Sequence, residues 1–359
     1  MTATAATTTM KSFVFDGLNK VAVVDREVPR PGPNDAVVKT TAALICTSDI
    51  HTVRGALPVE HGRALGHEAV GVVHELGSAV EGFEVGQRVL SAATTPCLQC
   101  HPCQRGYTSQ CQGALGAYKF TVQRDGNMAE YFLVNDAVGN LTAIPDDVAD
   151  EQAVYAPDML TTGFAGAEHA ELEIGDTVVV FAQGAVGLCA TMGCKLRGAG
   201  LIITVESIPR RQELSRRFGA DIVVDHTAGD TVGQIMELTG GEGVDAAIEA
   251  FGFPQTWEAA LYVTKPGGRV SNIGYHGEVA EPLKVPLDAF GLGMADKQIW
   301  GGLCPGGSER MHRLLRLLQS GKIDPTPMTT HEFGFHEIEK AFRMMENKED
   351  GMIKPLIRF

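Results

Sequence analysis

Hydrophobic and polar residues change rhythm twice along this 359-residue chain. Through residues 11–150, short Val-rich runs are broken by Gly, Pro and Asn turns: KSFVFDG, KVAVVDREV, DAVVKTTAALI and EAVGVVHELG. That spacing predicts a compact, barrel-like β domain. From residue 176 the pattern alternates. DTVVVFAQ is a continuous apolar run, as in a strand buried on both faces of a parallel sheet. AVGLCATMGCKLRGA then reads as a helix, LIITVES as a strand, RRQELSRRFGA as a helix and DIVVDH as a strand. TVGQIMELTG and QTWEAALYVTK continue as helices, VDAAIEAFG and GRVSNIGYHG as strands. This βαβαβ series predicts an α/β domain with a doubly wound sheet. After Gly301, SERMHRLLRLLQSG and IEKAFRMMENK carry apolar residues at helical spacing, and MIKPLIRF reads as a closing strand. These last elements are expected to return to the first domain. No internal repeat is visible.

Composition narrows the classes. Hydrophobic residues make up 44% and charged ones 21%, ordinary for a globular chain long enough for about two domains. The formal net charge of −14 repels phosphate backbones and anionic lipid surfaces, so neither nucleic acid nor membrane is an expected partner. Apolar runs such as Val178–Ala182 fall far below the ~18 residues of a membrane helix. MTATAATTTM lacks a charge-then-apolar export pattern and reads as a frayed Thr/Ala-rich tail, and the expected location is the cytoplasm.

A nucleotide site is the first candidate chemistry. Ala182, Gly184 and Gly187 occupy the three slots of a near G-x-G-x-x-G pattern between a strand and a helix. Gly184 lets backbone approach a pyrophosphate, Gly187 lets helix and strand pack closely, and the helix start at Ala185 and Val186 offers N–H groups to phosphate. Alone, the pattern equally describes an ordinary βα turn. Glu206 ends the next strand, where a carboxylate accepts hydrogen bonds from the adenosine ribose and repels a 2′-phosphate, so NAD is expected rather than NADP. Arg210 and Arg211 read as phosphate clamps or as a solvated helix face, with Arg211 placed against the ribose.

Cysteine spacing adds metal. Four of the eight cysteines, Cys97, Cys100, Cys103 and Cys111, follow the order C-x2-C-x2-C-x7-C, a set that closes a tetrahedral structural zinc site. The overlapping CLQCH could be taken for haem attachment, but that needs an exported protein and leaves Cys103 and Cys111 unused. A second set is dispersed: Cys46 after an apolar strand, His67 with Glu68 in LGHEAVG, and Asp158 in APDMLTTG. Cys, His and carboxylate are three ligands that leave a fourth zinc position open to substrate. Singly, each also reads as a core thiol, a structural imidazole or a helix cap.

Taken together these residues resemble the zinc-dependent medium-chain alcohol dehydrogenases. The family's signature G-H-E-x2-G-x5-G-x2-V is matched by Gly66, His67, Glu68, Gly71, Gly77 and Val80. The likeness runs from Met10 to Phe359. CTSDIHTV, LGHEAVG, AEYFLVNDA, PDMLTTGF, SNIGYHG and GGLCPGG resemble more narrowly the microbial secondary alcohol, isopropanol-type, members. Two features depart from that group: its best-known members lack the four-cysteine lobe, and they carry a small residue at the position of Glu206 and prefer NADP.

The resemblance implies a GroES-like β-rich catalytic domain over residues 1–161, completed by 304–359, and a Rossmann coenzyme domain over 162–303, with the catalytic zinc in a cleft between them. It implies two zinc ions per chain, one on Cys46, His67 and Asp158 and one on the four clustered cysteines. Glu68 would act beside the catalytic ion. Ser48 would take the alcohol proton and pass it through the nicotinamide ribose to His51. Thr162 would contact the nicotinamide, and Tyr118, Tyr275 and Leu303 would line the pocket for a small alcohol or carbonyl substrate. Bacterial members are commonly homotetramers. A same-fold enzyme for formaldehyde, a polyol or an amino-acid alcohol, and a non-catalytic nucleotide-binding protein, are the alternative readings.

Overall fold

A computed structural model describes residues 9–113, 124–277 and 282–359. Their contacts define two units: residues through Thr161 joined by Cys304–Phe359, and Thr162–Leu303.

In the first unit β1 (Thr9–Phe15) and β2 (Val21–Glu27) pair antiparallel from Thr9↔Glu27 to Phe15↔Val21. β3 (Ala36–Leu44) is almost wholly buried and organises the main sheet. It is followed by helix α1 (Thr47–Val53) and by β4 (Glu68–Leu76), which runs back along β3 so that Leu44 faces Glu68. This register sets Cys46, two residues past the end of β3, near His67, one residue before β4. β5 (Arg88–Ser91) lies next to β4. A short helix α2 (His101–Gln104) marks the cysteine lobe. Then come β6 (Tyr131–Val134), which pairs with β3, α3 (Ala137–Asn140), β7 (Leu141–Ala143) beside β5, and α4 (Asp150–Ala153).

The second unit begins in α5 (Thr161–His169) and alternates β8 (Thr177–Phe181), α6 (Ala185–Arg197), β9 (Leu201–Val205), α7 (Pro209–Phe218), β10 (Ile222–Val224) and α8 (Thr231–Leu238). It closes with β11 (Val244–Glu249), α9 (Pro254–Val263), β12 (Thr264–Asn272) and β13 (Gln298–Gly301). The six strands are parallel in the order β10-β9-β8-β11-β12-β13, so the order reverses beside β8. Continuous apolar strands are needed because both faces are covered. Val179, Phe181, Ile203 and Val205 pack with Trp257 and Leu261, whereas Val178, Val180 and Ile202 pack with Ala190 and Cys194. Ligands of such sheets sit outside the strand C-termini where the order reverses.

Past residue 303 the chain rejoins the first unit. α10 (Ser308–Gln319) buries Met311, Leu314, Leu315 and Leu318, and after β14 (Thr329–Gly334) α11 (Ile338–Asn347) buries Ile338, Ala341, Phe342 and Met345. Both sets follow the i, i+3, i+4, i+7 stripe. β15 (Lys354–Arg358) pairs with β14 and, antiparallel, with β3, setting Leu356 against Leu44.

One strand reading needs correction, and two strands went unread. The expected strand GRVSNIGYHG is displaced: β12 starts at Thr264 and stops at Asn272. Ile273 N and Gly274 N both donate to the Glu249 carbonyl, turning the chain out of the ladder. β13 and β14 went unread because β13 has four exposed residues and β14 buries only Phe333 fully, so neither shows an apolar alternation.

Candidate functional site

The β3–β4 corner assembles the dispersed ligand set. Cys46 is the N-cap of α1, and His67 precedes β4. Asp158 lies in a buried π turn, Ala156–Leu160, where Leu160 N reaches back to Tyr155 O at 2.9 Å and Ala93 N donates to Pro157 O at 2.9 Å. Such turns direct a side chain that a regular helix would place elsewhere. Cys46 Sγ lies 3.6 Å from Asp158 Oδ2, and His67 Nε2 lies 3.2 Å from the same oxygen. A tetrahedral zinc, with bonds of about 2.3 Å to sulfur and 2.0–2.1 Å to nitrogen or oxygen, spaces its ligands roughly 3.3–3.8 Å apart. The donor set therefore fits zinc. One donor atom each from Cys46, His67, Glu68 and Asp158 falls within a common 4.8 Å. Ser48 Oγ stands 3.3 Å from His67 Nε2. His51 is half-buried one turn further along α1, on the same face as Ser48.

Charge around this corner has a logic the sequence did not expose. Burial pushes the Cys46 thiol up, with Lys354 opposing, and burial raises Glu68 against the same lysine. Burial would discharge Lys354, yet Glu68 and Cys46 hold its pKa above the ordinary lysine value. Lys354 Nζ donates to Glu68 Oε1 at 2.5 Å and to Ile45 O at 3.2 Å. Glu68 Oε2 is buried and accepts no hydrogen bond, an orphaned acceptor of the kind a nearby cation satisfies. Asp49 is the second unread residue. It accepts from Cys46 N at 2.9 Å and Gly66 N at 3.2 Å, and its Oδ1 faces His67 Nδ1 at 3.5 Å. Burial disfavours charge on His67, but Asp49 and the bond with Asp158 raise its pKa well above the usual imidazole range. A carboxylate behind the ring turns Nε2 toward the cluster, as ligating histidines require. Only the placement of Asp49 three residues after Cys46 could have suggested it; nothing in the sequence points from Lys354 to Glu68.

Cys97, Cys100, Cys103 and Cys111 also converge, with Sγ atoms within 4.8 Å of one another and those of Cys100 and Cys111 3.9 Å apart. No disulfide links the described cysteines. Main-chain amides point at the sulfurs: Cys97 N donates to Cys111 Sγ at 3.2 Å, Gln112 N to Cys100 Sγ at 3.3 Å and Gly113 N to Cys111 Sγ at 3.3 Å. The amides of Gln112 and Cys103 draw the Cys100 thiol down to about 6, which favours the thiolate a metal takes. The set can hold a closed tetrahedral zinc.

In the second unit Gly184 caps α6, no side chain caps that helix, and Ala185, Val186 and Gly187 form its first turn. Anions are favoured at such a terminus. Glu206, directly after β9, is buried. Its Oε2 accepts from Gln183 N at 3.1 Å, and its Oε1 from Ser207 N at 2.9 Å and Ile208 N at 3.0 Å. Arg211 Nη1 approaches Glu206 Oε2 to 3.7 Å. Thr162 is the half-buried second residue of α5. Tyr275 is exposed in the loop after β12, and Leu303 is half-buried two residues past β13. Tyr118 lies outside the described residues. No described helix is long and apolar enough to cross a membrane.

Residues 32–146 match the family described as "Alcohol dehydrogenase GroES-like domain", and residues 185–320 match "Zinc-binding dehydrogenase". The NADP-dependent isopropanol dehydrogenase of Thermoanaerobacter brockii is 47% identical over 350 residues, covering 97% of this chain and 99% of that one. An alcohol dehydrogenase of Cupriavidus necator is 43% identical over 366 residues, covering 98% and 99%. Among solved structures, alcohol dehydrogenase TADH from Thermus sp. ATN1 aligns with a TM-score of 0.88 at 31% identity, over 97% of this chain and 99% of that one.

Proposed function

The chain belongs to the zinc-dependent medium-chain alcohol dehydrogenase family, and from that premise we propose that it interconverts secondary alcohols and ketones with NAD(H). The observation that carries the chemistry is the meeting of Cys46, His67 and Asp158 with Ser48 beside them. A zinc ion held by Cys46, His67 and Asp158 would supply a Lewis acid that lowers the pKa of an alcohol hydroxyl, and a bound nicotinamide would supply the hydride acceptor. Ser48 Oγ takes the hydroxyl proton, and His51, three residues along the same helix face, exchanges it with water. In reduction Ser48 returns the proton. Asp49 keeps the His67 ring aimed, and Lys354 holds Glu68 in place. Thr162 is assigned to the nicotinamide, and Tyr275 and Leu303 to the substrate pocket, on family likeness. The secondary-alcohol class rests on relatives such as the isopropanol dehydrogenase above.

That relative is NADP-dependent by name; the NAD reading of this chain rests on Glu206. A carboxylate at that position repels a 2′-phosphate. Glu206→Ala removes the charge and leaves the amides of Gln183, Ser207 and Ile208, with Arg211, to face an added phosphate. The kcat/KM ratio of NAD to NADP is expected to fall by roughly tenfold or more, since like charges at close range cost several kcal/mol. An unchanged ratio would place ribose recognition elsewhere. The companion measurement is a panel of primary and secondary alcohols, polyols and formaldehyde with NAD and NADP, followed at the reduced-nicotinamide absorbance. Highest kcat/KM for secondary alcohols with NAD is expected; a preference for a polyol or formaldehyde contradicts the substrate reading.

The chain is also proposed to act as a homo-oligomer, a tetramer on family likeness. What supports association is β13, an edge strand with exposed Ile299 and Trp300 and with exposed Leu287, Leu292 and Met294 in the same unit. Open apolar edges are where sheets of two copies join. Light scattering should give the mass of four chains; a single-chain mass at micromolar concentration contradicts this.

A further inference from the structure

The turn that opens α6 starts on Ala182, not glycine, and Ala182 has φ 67°. An L residue is strained there and stays only where its surroundings require it. Two features hold it. Gly187 lacks a Cβ, which would stand 1.9 Å from the Ala182 carbonyl oxygen. Gln183, fully buried, donates from Nε2 to that same oxygen at 3.0 Å.

The other end of this amide reaches further. Gln183 Oε1 accepts from Thr191 Oγ1 of α6 at 2.9 Å and from Ser215 Oγ of α7 at 3.0 Å. Ser215 Oγ in turn lies 2.8 Å from Thr204 Oγ1 in β9, two residues before Glu206. The Gln183 main-chain N–H donates to Glu206 Oε2. One side chain thus bonds the turn and both flanking helices, and through Ser215 the strand that ends at Glu206. A buried amide is tolerated where its bonds are made, and an apolar residue of equal length would fill the same space.

We propose that Gln183 is a positioning residue for coenzyme selection: its side-chain network fixes the Ala182–Gln183 peptide, and that peptide holds Glu206 toward the ribose hydroxyls. The inference rests on the NAD reading of Glu206. Without the network the strained peptide relaxes, its N–H leaves the carboxylate, and Glu206 loses one of the three amides that aim it.

The test is Gln183→Met, equal in length and without amide bonds, in the zinc-loaded chain. Dissociation constants for NAD+ and NADP+ are measured by calorimetry, and KM and kcat are measured with NAD+. The expected result is a roughly tenfold weaker NAD+ complex, the scale of one to two lost hydrogen bonds. NADP+ should change little, and KM should rise far more than kcat falls. Ser215→Ala, which takes away one of the two donors to Gln183 Oε1 and the link to Thr204 while leaving the Gln183 amide in place, should shift the NAD+/NADP+ ratio in the same direction by about threefold. It carries the test if Gln183→Met does not fold. Equal loss for both coenzymes, or an unchanged ratio in both variants, overturns the inference. Tighter binding of NADP+ than NAD+ by the unaltered chain overturns it together with the Glu206 reading, before any variant is examined.

Discussion

Replacing Cys46 by serine is expected to lower kcat/KM for alcohol oxidation at least ~10³-fold, because a hydroxyl is a far poorer zinc ligand than a thiolate. The loss should come with loss of one of two zinc equivalents per chain. Stability should hold. Asp49 takes its bond from the Cys46 main chain, so the α1 terminus keeps its cap when the side chain changes. Cys46 Sγ stands 3.6 Å from Asp158 Oδ2, and the exchange of sulfur for oxygen leaves almost no cavity. Steady-state kinetics, metal analysis and a thermal scan on the same preparation separate these effects. Retained turnover would remove Cys46 from the reaction, and a collapse of melting temperature would make it structural.

Cys103→Ser should do the reverse. Among the described residues, the apolar cluster of this lobe consists of the four cysteines themselves, of which Cys103 and Cys111 are buried. Metal binding is folding energy in so small a region. Losing one ligand is expected to cost about 3 kcal/mol or more, some 6–12 °C in melting temperature. The protein should become open to proteolysis within residues 97–113. The chain that remains folded should keep its substrate preference and its coenzyme preference. Thermal denaturation, limited proteolysis and kcat/KM on the surviving fraction test this. A variant as stable as the parent would mean that the cysteines hold no structural ion.

What could be read from the chain follows how local each signal is. β8, β9 and β11 announce themselves because burial on two faces demands mostly apolar runs, rich in Val, Ile and Ala. The four-cysteine order is legible because its members lie within fifteen consecutive residues, 97–111. His67 and Glu68 stand in one motif, but their supports do not. Lys354 meets Glu68 across 286 positions, through a β15–β3 register that no local pattern reveals. Asp49 reads as an ordinary first-turn acid of α1 until Gly66 and His67 come to face it. Gln183 reads as a loop glutamine until Thr191 and Ser215 close on it. Buried polar partners are chosen by three-dimensional proximity, so they are what sequence patterns miss.

The proposed chemistry requires a metal ion among Cys46 Sγ, His67 Nε2 and Asp158 Oδ2. Anomalous diffraction from crystals of the protein, recorded on both sides of the zinc absorption edge, tests it most directly. Two peaks per chain are expected, one between those three atoms and one at the centre of the cysteine lobe. A lobe peak alone, with the three side chains ordered and nothing scattering between them, would contradict the account.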